Sequence, residues 1–158
     1  HDATALIYIF LMFIGGSPAS TAGGLKTTTF AVMIFSTIGM VRGEHDIVIF
    51  NRKIDKEVIL RALAITIVCI SLVGTITMAV AIIEHDRFEF LDILFESVSA
   101  FGTVGMTRGI TPHLYDISKV ILAFTMFIGR VGPTTLAIGL MKTKPSSIKY
   151  ATGKILVG

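Results

Sequence analysis

The stretch Ser99-Ala100-Phe101-Gly102-Thr103-Val104-Gly105-Met106-Thr107 decides how this chain is read. It lies within residues 92–111, which are too short and too rich in Gly and Thr to cross a membrane. The segments on either side are apolar enough to do so. Before it, residues 88–101 read as a short helix without proline and with one interior acid, Glu96. After it come small residues and then Arg108 and Thr111. A short helix followed by an extended, Gly-containing strand, set between two spanning helices, is the pattern of a re-entrant pore loop. Within hydrocarbon, non-helical backbone is tolerated only where it is buried in protein or lines a water-filled cavity. Extended backbone with small side chains can turn its carbonyl oxygens toward an axis, where they replace the water around a dehydrated cation. Gly105 has no Cβ, so it can take backbone angles that other residues avoid and admit an ion closely.

Composition points the same way. Of 158 residues, 53% are hydrophobic and only 16% charged, against about 25% charged in soluble domains. The mean hydropathy is +0.79. A membrane protein embedded in a lipid bilayer is the class this implies. A single cysteine, Cys69, sits in an apolar run and excludes a disulfide framework or a Cys-based zinc site. The net charge of +3 does not point to nucleic acid, because the charges cluster at membrane-edge loops and form no basic stripe interleaved with aromatics. The chain opens at His1-Asp2 and enters an apolar run at once, which reads as a fragment whose beginning is missing.

In order, residues 3–14 are apolar and helical in tendency, residues 15–29 break that pattern, and residues 30–41 resume it until Arg42-Gly43. Neither half reaches the ~20 residues of a span, so 1–42 reads as a broken transmembrane helix or as a half-helix followed by a second helix. Residues 43–57 form a water-facing linker. Residues 62–83 carry no charge and cover about 33 Å as a helix, enough for a bilayer core. A polar loop (84–89), the pore loop, an outer connector (112–118), a further span (120–141) and a basic tail (142–158) follow. The expected domains are thus 1–42, 43–57, 58–141 and 142–158, in an all-α membrane protein. Lys and Arg are concentrated in 42–61 and in the tail, which places both in the cytoplasm and opens the pore loop outward.

Three features need a physical reason. Gly15, Gly16, Ser17, Pro18, Ala19, Ser20, Thr21, Ala22, Gly23 and Gly24, with Lys26 beyond them, read either as a flexible loop or as a break at membrane depth. In the second case the small residues would lie under the filter as a gate. The run Gly24-Leu25-Lys26-Thr27 is not a nucleotide loop, because Leu25 separates Gly from Lys and no strand precedes it. Arg130 falls about 16–18 Å from either end of its span, beyond the reach of snorkelling. A charge there costs at least ~2.5–3.5 kcal/mol, so it should find acceptors, for which carbonyls of the 15–24 break are natural partners. Gly129, Gly132 and Pro133 around it read as a packing kink or a hinge.

Together these motifs resemble the Trk/Ktr/HKT superfamily of potassium transporters, with the nearest likeness in the membrane subunit of its Ktr branch. Thr103-Val104-Gly105 is similar to a potassium-channel filter, with Met106 and Thr107 in place of Tyr and Gly. Residues 13–30 resemble the family's intramembrane loop, 95–107 the pore helix and filter of its fourth repeat, and 129–133 its Arg-bearing final helix. The resemblance implies four helix–pore loop–helix repeats around one pore, of which this chain would hold the end of the third and all of the fourth. It implies potassium at the backbone carbonyls of Thr103, Val104 and Gly105, with Met106 completing the filter, and Arg130 as partner of the gate. It further implies potassium uptake in a bacterial cell membrane, sodium-dependent symport, homodimers, a cytosolic nucleotide-binding regulatory ring, and N-terminal repeats outside this chain.

A second reading of the residues remains open at this stage. The chain could be a membrane-embedded assembly or anchoring subunit, its glycines serving helix packing alone. A transporter needs residues 103–106 extended beside a cavity, whereas a packing module would keep them helical or buried. An enzyme is not indicated, since no acid–base pair or metal cluster stands in the spans and Ser97 and Ser99 have no His or Asp arranged for nucleophilic catalysis.

Overall fold

The computed structural model describes residues 1–18, 20–43, 48–49, 52–85 and 87–132. In order they form α1 (Asp2–Phe13), α2 (Thr27–Val41), β1 (Val48–Ile49), β2 (Arg52–Lys53), α3 (Lys56–Ile83), α4 (Phe90–Gly102), a 3-10 turn (Thr111–His113) and α5 (Asp116–Val131). β1 and β2 are two residues each and pair antiparallel, Val48 opposite Lys53 and Ile49 opposite Arg52. Apart from that hairpin, the regular structure among the described residues is helical, in agreement with the all-α expectation.

α3 has 28 residues, no proline and no charge after Arg61, and it spans about 42 Å at the α-helical rise. Among the described residues it is the one helix long and apolar enough to cross a membrane; α1 and α2 are shorter apolar helices. α4 has 13 residues, about 20 Å, and is the hub. It packs against α1, α3 and α5, and Ile93 and every residue from 95 to 102 are buried. One core cluster joins Ala5 and Met12 of α1, Leu25, Ile65, Cys69 and Val73 of α3, and Phe95, Val98 and Phe101 of α4. Another joins Val80, Ile93, Ala100, Ile110, Leu114 and Leu122. Burying a side chain such as Phe101 or Val98 contributes about 1.5–3 kcal/mol.

Large apolar side chains also lie on the outside: Leu6, Phe10, Ile70, Ile82, Phe124 and Phe127 are exposed, while Glu96, Ser97, Ser99, Thr77 and Thr125 are buried beside the apolar core. Three of the inner hydroxyls are satisfied within their own helices: Thr77 donates to Val73 O, Ser97 to Ile93 O and Thr125 to Ile121 O.

Contacts fix the directions of the helices. Asp2 at the start of α1 lies 3.5 Å from Arg108, which pairs with Asp92 near the start of α4 at 2.8 Å. At the other end, Phe13 stacks on Phe101 with ring centroids 5.9 Å apart. α1 and α4 therefore run side by side in the same sense. Glu84, just past α3, accepts a hydrogen bond of 2.7 Å from Tyr115 N–H, just before α5. The end of α3 and the starts of α1, α4 and α5 gather at one end of the molecule, and α4 stops about halfway along α3.

Several boundaries differ from the sequence expectation. α2 begins at Thr27 rather than at residue 30, because Thr27 N–H finds Gly16 O at 3.2 Å and a first-turn donor needs such an outside partner. The 43–57 linker contains the hairpin and the first residues of α3. α4 occupies Phe90–Gly102 rather than 88–101. α5 ends at Val131, where Gly132 takes φ +89°, so Arg130 stands in a last helical turn and not mid-helix. Ala19, Pro133, the remainder of the 120–141 span and the 142–158 tail lie outside the described residues.

Candidate functional site

The end of α4 shapes the candidate filter. Thr103 N–H donates to Ala100 O at 3.1 Å, and Val104 N–H to Ser99 O at 3.0 Å. This pair of bonds is a Schellman cap, in which the residue after the helix takes the left-handed conformation and is usually Gly. Here it is Thr103, at φ 53° and ψ 36°. A left-handed β-branched residue is strained by about 1–2 kcal/mol. The adjacent glycine is committed elsewhere: a Cβ on Gly102 would lie 2.6 Å from Met12 O. Close packing of α1 on α4 therefore takes the glycine and leaves the strained position to threonine.

Residues 103–106 are non-helical, but they are not the simple extended strand expected. Thr103 and Gly105 have positive φ, 53° and 79°, while Val104 and Met106 between and after them do not. A chain that alternates in hand turns its peptide planes differently from a strand, whose carbonyls alternate sides. Among the described residues a Cβ at Gly105 would meet nothing within 4 Å, so within this chain it is the positive φ that favours glycine there. Among the described residues, no hydrogen bond is made to the carbonyls of Thr103, Val104 or Gly105. Met106 O, by contrast, accepts from Ser99 Oγ at 2.6 Å.

From Met106 the chain doubles back along α4. Ser99 binds Met106. Glu96 accepts from Thr107 Oγ1, from Arg108 N–H at 3.1 Å and from Thr111 Oγ1 at 2.7 Å. Asp92 pairs with the Arg108 side chain. Residues 99, 96 and 92 form one stripe of the helix, at spacings of three and four. The return segment thus runs antiparallel to α4 and comes back to the end from which α4 started. Arg87 closes that end, donating to Glu84 at 2.8 Å and to His113 O at 2.9 Å and lying 4.2 Å from the Tyr115 ring centre.

The candidate gating loop lies against this turn. Between α1 and α2 the chain makes an excursion closed by a short parallel bridge between Ile14 and Leu25. Gly15 N–H donates to Leu25 O at 2.7 Å and Leu25 N–H to Phe13 O at 3.1 Å. Parallel pairing means that the chain runs in the same direction at Ile14 and at Leu25. Some of the freed backbone groups are satisfied inside the loop or at its edges. Ser20 N–H reaches Ser17 O, Ala22 N–H reaches Ser20 Oγ, and Lys26 Nζ reaches Ala22 O at 2.6 Å. One group reaches outward: Gly23 N–H donates to Thr103 Oγ1 at 2.9 Å. The loop and the first candidate filter residue are in direct contact.

Arg130 is placed differently from the sequence expectation. It is exposed, and among the described residues it makes no hydrogen bond or ion pair with the 15–24 carbonyls. α5 ends one residue after Arg130, and the side chain is turned to an open recess rather than to the loop. It lines an open recess of about 340 Å³ together with Ser99, Thr103, Gly105, Met126 and Phe127. The structure thus brings Arg130, Thr103, Gly105 and, through Gly23, the loop into one neighbourhood. Two residues of this neighbourhood have roles that sequence reasoning missed. Glu96 was visible as an acid in the middle of an apolar helix, but its partners were not. Gly129 was assigned to a kink; a Cβ there would lie 2.0 Å from Phe101 O, so it is where α5 backbone meets the end of α4.

Comparison with known proteins bears on this arrangement. The family profile described as TrkH, cation transport protein, matches residues 1–150. The chain is similar to Ktr system potassium uptake protein B of Bacillus subtilis (strain 168), 43% identical over 158 residues, 100% of this chain and 35% of that protein. It is similar to the Vibrio alginolyticus protein of the same name, 38% identical over 153 residues, 97% of this chain and 33% of that protein. It is also similar to potassium/sodium uptake protein NtpJ of Enterococcus hirae, 37% identical over 163 residues, 99% of this chain and 36% of that protein. The chain spans about a third of the length of the curated relatives it matches.

Proposed function

We propose a function from one premise: this chain belongs to the TrkH family of cation transport proteins, a family of transporters and not of enzymes. The chain is part of the ion-translocating subunit of a Ktr/Trk-type potassium uptake system in a bacterial cell membrane. Residues 58–141 are its fourth helix–pore loop–helix repeat, preceded by the broken helix of 1–42, with 43–57 and 142–158 on the cytoplasmic side. The remaining repeats belong to the rest of the longer protein, and one repeat contributes one wall of the ion path. Potassium crosses by exchanging water for the carbonyls of Thr103, Val104 and Gly105, which have no other hydrogen-bond partner among the described residues. Met106 closes the filter on the outer side, its carbonyl held by Ser99.

The observation that carries this reading is the return of residues 103–111 along the 92, 96, 99 stripe of a buried, half-length helix. That is the course of a re-entrant loop, which enters from one side and leaves by the same side. Residues 103–106 are non-helical, which disfavours the helical form of the packing-module alternative. The loop of residues 15–24 with Lys26 is the gate, because Gly23 touches Thr103 from the side away from that return. Arg130 acts on the same gate from the recess it shares with Thr103 and Gly105. Coupling to sodium, assembly as a homodimer and control by a cytosolic nucleotide-binding ring complete the proposal. They rest on the family resemblance and on the potassium/sodium uptake named for the E. hirae relative.

The test is Gly105→Ser in the full-length transporter. A serine at φ +79° is strained and reorients the carbonyls on either side. Uptake should lose preference for potassium over sodium. Wild-type preference in that variant would remove Gly105 from the filter.

A further inference from the structure

We propose that Glu96 is a positioning residue for ion selectivity: its buried carboxylate fixes the height and rotation of the filter by holding the chain that leaves it. The inference rests on the reading of residues 103–106 as the ion path.

Glu96 is only 5% exposed and sits in the second half of α4, a helix whose neighbours at 95 and 97–102 are all buried. A buried carboxylate is costly unless several donors compensate it. Here three donors converge from the return segment: the Thr107 hydroxyl, the Arg108 N–H and the Thr111 hydroxyl. None is a cation, and the guanidinium of Arg108 is turned to Asp92 instead. Thr107 Oγ1 is itself braced by Gly109 N–H at 2.9 Å. The carboxylate thus organises a five-residue clasp beginning one residue after Met106. At the inner end the filter is fixed by the cap on Ser99 and Ala100 and by Gly23 on Thr103. Beyond the Val104 N–H of that cap, residues 104 and 105 make no hydrogen bond among the described residues. Their position is set by what holds each end, and Glu96 with Ser99 is the outer hold. With two oxygens on one rigid plane, the carboxylate accepts from three donors at once, which suits a part that must keep carbonyl spacing constant.

The experiment compares Glu96→Leu, Glu96→Gln and Thr111→Val in the full-length transporter, with Gly105→Ser alongside. Potassium and sodium uptake are measured at matched protein amount and assembly. Glu96→Leu removes all three bonds to the carboxylate and should lower the potassium-over-sodium ratio several-fold. Glu96→Gln keeps an acceptor for Thr107 and Arg108 and should retain most of the ratio. Thr111→Val loses one arm and should fall between. Equal loss in Glu96→Gln and Glu96→Leu would mean that charge and not position matters, and would overturn the proposal. So would an unchanged ratio in Glu96→Leu, or reduced uptake of both ions alike, while Gly105→Ser alters selectivity. If Glu96→Leu does not accumulate, Thr111→Val decides by the same ratio. An unchanged ratio in Gly105→Ser as well would instead discard the ion path on which the proposal rests.

Discussion

Gly129→Ala pits two well-understood effects against each other and lets the sign decide. Gly129 is buried in α5, and in a helix interior Gly→Ala ordinarily stabilises by about 0.5–1 kcal/mol, because alanine loses less backbone entropy. In this structure, however, the new methyl would lie 2.0 Å from Phe101 O, 2.9 Å from Phe101 C and 3.2 Å from Phe101 Cα. All three are backbone atoms in the last turn of α4, where they cannot swing aside as the tip of a flexible side chain can. Overpacking of this kind costs about 1–3 kcal/mol, which outweighs the propensity gain. The strain would fall two residues before Thr103, so transport should suffer along with stability. Gly74→Ala in α3 is the control, since a Cβ there meets nothing within 4 Å and the propensity gain should stand alone. Thermal unfolding of the purified full-length protein in detergent, with ion uptake in parallel, reads both. The expected result is a lower midpoint for Gly129→Ala and an equal or higher one for Gly74→Ala. A higher midpoint for Gly129→Ala would refute the close approach of α5 to α4.

Further outcomes follow from the contact between loop and filter. Thr103→Val keeps the β-branched shape but leaves Gly23 N–H without its acceptor, a loss of about 1–3 kcal/mol where that group is buried. It should raise basal flux and weaken control of uptake, with Thr103→Ser restoring both, as measured by rubidium uptake with and without the regulatory nucleotide. Arg130→Ala removes the cation from the recess and should also raise flux or loosen control; unchanged transport and control would exclude Arg130 from gating.

How much of this was legible in the sequence depends on the range over which each feature is determined. α3 was evident because a long uncharged run fixes its own fate in hydrocarbon, and α4 because a short proline-free apolar run that ends in glycines leaves few alternatives. The loop of residues 15–24 announced itself by composition. The left-handed conformation of Thr103 was not legible: a rule that puts Gly after a helix points to Gly102, and only the nearness of Met12 O explains why that glycine is spent on contact. Nor were the partners of Glu96, which lie 11–15 residues away and meet it only because the chain doubles back. Arg130 was legible as a misplaced charge, but its surroundings were not, because they depend on where α5 ends and on the recess that its last turn faces.

The account stands on the main-chain oxygens of Thr103, Val104 and Gly105 receiving a cation. Diffraction from crystals of the full-length transporter grown in rubidium, collected at the rubidium absorption edge, tests this most directly. The account predicts anomalous density on the pore axis beside those three carbonyls. Rubidium bound elsewhere, with those carbonyls turned away from it, would contradict it.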